Sequence, residues 1–275
     1  MKKIIATAVA MAFVAPVYAA DITITGDMEF SWRDNNGTTT AESDGDFNVK
    51  ASTETANGLS VAADININES GADDGGNSLT IGGPFGKLDL GDTSSAVDAV
   101  DDTTDWGYEL TNGSTNYDAS VLWTLPTLVP GLSVYVSTGA DNNGGSSDGA
   151  NHTGISAKYS VSGLSVSYGS NDNDDGTEVS IVAVTYGIDG LGLAAETLTE
   201  TAADGTETDT ELFAATYTMG DLTVAVETMD NGTNDVTSLG AHYSLGGGVT
   251  AFIEQTDDAN VAATEATAVG VAMKF

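Results

Sequence analysis

Residues Phe213 to Thr228, FAATYTMGDLTVAVET, alternate apolar and polar side chains in two runs joined at Gly220-Asp221. Phe213, Ala215, Tyr217 and Met219 share one face of the first run, and Leu222, Val224 and Val226 share one face of the second. Thr216, Thr218, Thr223 and Glu227 take the other face. A period of two is the signature of a strand, and a two-residue junction with glycine makes a hairpin. The unit returns at Ala157 to Gly169, Ala183 to Thr197 and Gly240 to Gln255. Each copy places a tyrosine, Tyr159, Tyr186, Tyr217 or Tyr243, just before a tight glycine turn. A repeat of this length calls for a fold that is hairpins throughout.

The rest of the chain obeys the same rule. Asp21 to Arg33 alternates Ile22, Ile24, Met28, Phe30 and Trp32, and a polar loop is expected over Asp34 to Gly45. Asp46 to Ala56 and Leu59 to Glu69 flank Asn57-Gly58, a favoured hairpin pair. Asn77 to Gly82 turns through Gly83-Pro84-Phe85 into Gly86 to Gly91. The pattern then breaks over 92–112 and resumes at Gly113 to Thr124 and Gly131 to Thr138. Beyond a polar loop, Gly139 to Asn151, the repeat units fill the chain to a final strand, Ala266 to Phe275. The reading gives sixteen strands, with seven tight turns and eight longer polar loops in alternation. One-sided loop length is expected of an up-and-down barrel whose rims face different compartments.

Met1-Lys2-Lys3, the apolar run Ile4 to Val14, Pro16 and Val17-Tyr18-Ala19 read as a secretory signal peptide over residues 1–19. That leaves 20–275 as a transmembrane β-barrel. The apolar run is too short for a spanning helix. All 41 acids follow the leader, where only Arg33, Lys50, Lys87, Lys158 and Lys274 oppose them. Such a balance excludes a nucleic-acid partner, because phosphate binding needs Lys and Arg. There is no cysteine, so a continuous hydrogen-bond network has to hold the fold instead of disulfides. The 33 glycines and the acidity alone would suit disorder, but a disordered chain has no periodic apolar face.

The apolar face could meet lipid or a second sheet. A soluble sandwich of this size needs large side chains in its middle, yet aromatics are 7% and the other face is Thr, Ser, Asp, Asn and Ala. Lipid is the better solvent for the apolar face and water for the interior. The alternative is a secreted or surface-exposed soluble β-sheet protein with a binding or structural role. On the barrel reading, Tyr159, Tyr186, Tyr217 and Tyr243 lie at one height near the short-turn rim, as an aromatic girdle does.

Sixteen strands enclose a bore too wide for side chains to fill. The break at 92–112 is the longest connection, and it is expected to fold inward and constrict the bore. Its Asp98, Asp101, Asp102 and Asp105 would then favour cations. Parity turns all five remaining bases inward, and Arg33, Lys50 and Lys87 would form a positive wall facing that loop. Catalytic residues are not evident: His152 and His242 stand alone, and no nucleophile–base pair stands out. No metal or cofactor motif is present; acidic loops such as Asn171 to Asp175 offer hard oxygens of the kind Ca²⁺ takes, without the spacing of a known calcium loop.

Gly82 to Asp98, GGPFGKLDLGDTSSAVD, and the alternation Val269, Val271, Met273, Phe275 at the C-terminus carry a more specific likeness. In these stretches the chain resembles the Gram-negative general porins of the α-proteobacterial type. The resemblance implies a Gly-Phe-Gly turn leading through the fifth strand into an inward-folded third loop, and Phe275 as an assembly signal. It also implies an outer-membrane homotrimer through which small hydrophilic solutes and ions diffuse. The family usually has a basic residue just after the last glycine of that strand; here Asp92 stands there, which implies a stronger cation preference.

Overall fold

The computed structural model describes residues 21–68, 77–101, 118–139, 151–259 and 265–275. The leader, Asp102 and Asp105 lie outside the described residues. The strands are β1 (Asp21–Asn35), β2 (Thr38–Glu54), β3 (Ser60–Asn68), β4 (Ser78–Gly83), β5 (Gly86–Ser94), β6 (Asp118–Thr124), β7 (Leu132–Gly139) and β8 (His152–Val161). They continue as β9 (Leu164–Asn173), β10 (Glu178–Ile188), β11 (Leu191–Thr201), β12 (Glu207–Met219), β13 (Leu222–Asp230), β14 (Asp235–Gly246), β15 (Val249–Asp258) and β16 (Ala266–Lys274). Each pairs antiparallel with its neighbours in sequence, and β1 closes on β16 to give a sixteen-stranded barrel. Closure leaves no sheet edge around the wall, the condition for strands to stand in hydrocarbon.

The sheet is inside-out relative to a soluble protein. Outward positions carry Ile22, Ile24, Phe30, Trp32, Val184, Phe213, Leu239, Ile253 and Val269, all well exposed. Their strand neighbours Ser31, Ser137, Ser156, Ser167 and Ser238 face inward and are buried. Ladder partners share a face, as in Ile24 with Val49 and Tyr217 with Val224, so the period-two pattern of each strand joins its neighbour's into a continuous apolar belt.

The barrel differs from the sequence reading at its tall rim. The expected loop Asp34 to Gly45 is a hairpin: β1 and β2 pair from Asp27 with Asp46 out to Asn35 with Thr38, across Asn36-Gly37. The β9–β10 and β11–β12 connections, expected at 170–176 and 201–208, are likewise shorter, at 174–177 and 202–206, while β13–β14 turns over 231–234 as expected. Above the hydrocarbon both faces of a strand meet water, so nothing selects an apolar face and the alternation fades while the ladder continues. β5 likewise runs on to Ser94, two residues past the expected break at Asp92.

At the low rim, the seam between β1 and β16 is tied by reciprocal backbone bonds between Gly26 and Phe275, each 2.9 Å. The Phe275 ring lies over Gly26 and meets Phe47 edge-on at 5.9 Å between centroids. A Cβ at Gly26 would come within 2.9 Å of that ring.

Candidate functional site: the bore and its inward segment

After β5 the chain leaves the wall and enters the bore. Ser95 to Asp101 lies against the inside of the barrel, with Ser95, Ala96, Val97, Val100 and Asp101 buried and a single 3-10 turn at Asp98–Val100. Val97 and Val100 pack with Val179, Ile181 and Leu198, inward residues of β10 and β11, and with Tyr135 of β7. The Ala96 amide donates to Ser137 Oγ at 2.8 Å, and the Asn171 side-chain amide donates to Ser95 Oγ at 3.1 Å. The apolar contact removes two valines from water, each worth about 1.5–3 kcal/mol.

Asp98 lies partly buried in the turn, its amide donating to Ser95 Oγ at 3.2 Å. Asp101 is buried at 2% exposure. The segment docks on β7 to β11, and β9 is eight strands from β1 in either direction around the closed order. Arg33 and Lys50 therefore stand on the wall across the bore from it.

The bases are not bare charges. Lys50 Nζ lies 3.2 Å from Asp64 Oδ2, and Lys87 Nζ lies 2.8 Å from Asp89 Oδ2. Asp89 also accepts from Thr80 Oγ1. Both lysines are half exposed while both aspartates are largely covered, so each carboxylate is held in the wall and its lysine reaches over it. Arg33 faces inward beside Thr40 and Ala268.

Three further inward acids, Glu196, Glu227 and Glu254, are buried on β11, β13 and β15. His242, read from sequence as isolated, is hydrogen-bonded to Glu254 Oε1 at 2.8 Å. Parity was the signal that could have found these acids: each stands between outward neighbours such as Val226 and Thr228, or Ile253 and Gln255. His242 and Glu254 are twelve residues apart and meet only through the β14–β15 register, which no local motif shows.

At the tall rim, Asp175 accepts from both the amide and the hydroxyl of Thr177, and Asp204 accepts from the Thr206 amide. The bond from the threonine hydroxyl, then that from its amide, holds each carboxyl below the ordinary range, so these tips keep their charge into mild acid. In the stretch Asn171 to Asp175, Asn171 turns inward to Ser95 and Asp174 accepts from Asn151, while Asp175 is engaged by Thr177. Among the described residues no group of three or more His, Cys, Asp or Glu is arranged to hold a metal ion. Tyr159, Tyr186, Tyr217 and Tyr243 all stand exposed on the outer face, each on the strand that leads into a low-rim turn.

Solved structures share this architecture. A porin refined at 1.8 Å resolution superposes with a TM-score of 0.73 at 22% identity, over 93% of this chain and 100% of that one. Salmonella typhi OmpF in complex with daunomycin gives 0.79 at 14% identity, over 94% and 98%. A triple mutant of the Rhodopseudomonas blastica porin gives 0.74 at 17% identity, over 93% and 100%. A search of curated proteins finds no match. The Gram-negative porin family profile matches residues 6–275. A closed barrel with oily residues outside, a segment folded inward after its fifth strand, and a family match over nearly its whole length make this chain a member of the Gram-negative porin family.

Proposed function

We propose that this outer-membrane porin is a passive, cation-preferring channel for small hydrophilic solutes, assembled as a homotrimer. The observation that carries the sign of the selectivity is the pairing of Lys50 with Asp64 and of Lys87 with Asp89. With these two lysines offset, the field in the bore is left to the excess of acids. The formal net charge is −34. A single-signed field inside low-dielectric walls concentrates ions of the opposite sign. Asp98 and Asp101 of the inward segment add to that field, as the expected Asp102 and Asp105, outside the described residues, would do, and Arg33 opposes it from across the bore. The four tyrosines near the low rim serve as the interfacial girdle.

The test is the reversal potential of reconstituted channels in a salt gradient. Potassium should carry most of the current, and a current carried mainly by chloride would overturn the selectivity. Replacing both Asp64 and Asp89 by Asn leaves Lys50 and Lys87 unopposed, and should lower the cation-to-anion permeability ratio by about twofold or more. The trimer is tested by electrophoresis with and without boiling: the unheated protein should migrate as the larger species and collapse to monomer on heating.

A further inference from the structure

The inner wall is shaped to receive the inward segment, beyond merely touching it. Two glycines stand where the segment crosses, Gly154 on β8 and Gly169 on β9, both facing inward. A Cβ at Gly154 would strike the Asn171 side chain and come within 2.5 Å of Ser137 Oγ, the two groups that bond the segment, and within 3.2 Å of Ala96 Cβ. A Cβ at Gly169 would lie 3.2 Å from Val100 Cγ2 and 3.0 Å from Ile181 Cγ2. Glycine within a strand is unfavourable unless something must approach closely, and here the approaching part is the chain's own Ser95 to Asp101. Ser137 and Asn171 are themselves buried, at 1% and 2% exposure, so Ser137 Oγ and Asn171 Nδ2 are committed to the segment and not to bulk water. Polar bonds at the segment's start and valines further on fix both its position along the wall and its depth.

The geometry points to a clamp, formed by Ser137, Gly154, Gly169 and Asn171, that holds the inward segment on the β7–β11 wall and thereby sets a single, steady conductance level. These are positioning residues, and they act on permeation through the segment. The inference rests on the channel reading above. Detachment of the segment moves backbone into the water path, so a weakened clamp shows as excursions between current levels. A strengthened or intact one shows as a quiet open state.

The test is single-channel recording of Gly154→Val, Ser137→Ala and Ser137→Thr beside the unaltered protein. Valine suits a strand, but at 154 it takes the space of both bonding groups. Ser137→Ala removes the acceptor of the Ala96 amide, and Ser137→Thr keeps a hydroxyl there. Gly154→Val and Ser137→Ala should raise the fraction of time spent away from the main level by about tenfold, the change a lost buried hydrogen bond produces in a two-state population. Ser137→Thr should record like the parent. Folding is followed separately by the shift in gel mobility on heating, which a clamp defect leaves in place. Folded Gly154→Val and Ser137→Ala channels as quiet as the parent would overturn the clamp and leave the channel standing. If Gly154→Val does not fold, the contrast between Ser137→Ala and Ser137→Thr decides. A parent protein that never conducts would overturn the channel reading and this inference with it.

Discussion

Val184→Arg should destabilise the folded barrel by about 2–4 kcal/mol, while Thr185→Arg, one residue away, should be tolerated. Val184 stands in the middle of the outer apolar row of β10, between Val182 and Tyr186, and its ladder partners Val166 and Ala195 are outward as well. An arginine there meets hydrocarbon, and its guanidinium has to stretch past the outer row toward the level of Tyr186 to find water. Thr185 faces the bore beside Ser165 and Ala194, where a guanidinium remains in water. The measurement is the urea midpoint of folding into bilayers for each variant against the parent. The contrast between neighbours reads which face meets the apolar medium, and folding into bilayers instead of plain buffer identifies that medium as lipid. Equal tolerance of Arg at both positions would refute the inside-out arrangement.

Gly86→Val should do comparable or greater damage, about 3 kcal/mol or more, and should do it without touching lipid or bore. Gly86 opens β5 at φ 97°, a conformation for which a β-branched residue is badly suited. A Cβ added there would run into the Thr124 carbonyl and lie 2.8 Å from Pro126 N, both backbone atoms with nowhere to move. The β4–β5 turn and the exit of β6 are pressed together at this point, and the Trp123 indole N–H donates to the Phe85 carbonyl at 2.9 Å to hold them. Thermal unfolding in detergent should show a marked fall in midpoint for Gly86→Val. A control at Gly37, also at positive φ but with nothing within 4 Å, should show only the smaller conformational cost.

The strand count and the in-or-out parity of nearly every residue were legible because lipid and water impose opposite chemistry on the two faces. Val49, Ala51 and Leu88 alone give Lys50 and Lys87 an inward expectation by parity. Two things were not legible. The β1–β2 hairpin reads as a loop in the sequence because Thr38 to Gly45 carries no apolar face, although its ladder with β1 is continuous. The site was only half visible. The break after β5 marked the segment that turns inward, but its landing place depends on Gly154 and Gly169, and a glycine in a strand says only that something comes near. The pairing of Lys87 with Asp89 was available at a spacing of two on one face. That of Lys50 with Asp64 needed the β2–β3 register.

The nearest-neighbour order of the strands also governs how such a wall can come into being. Fifteen of its sixteen seams join consecutive strands and can zip locally, most of them closing a short loop. The remaining seam, β1 to β16, joins segments separated by almost the entire polypeptide, and the curved sheet stays an open trough until it forms. That one junction, sealed by Gly26 and Phe275, makes cylinder formation a late event, and a truncated or stalled chain would present two raw borders ready to pair with a neighbouring molecule.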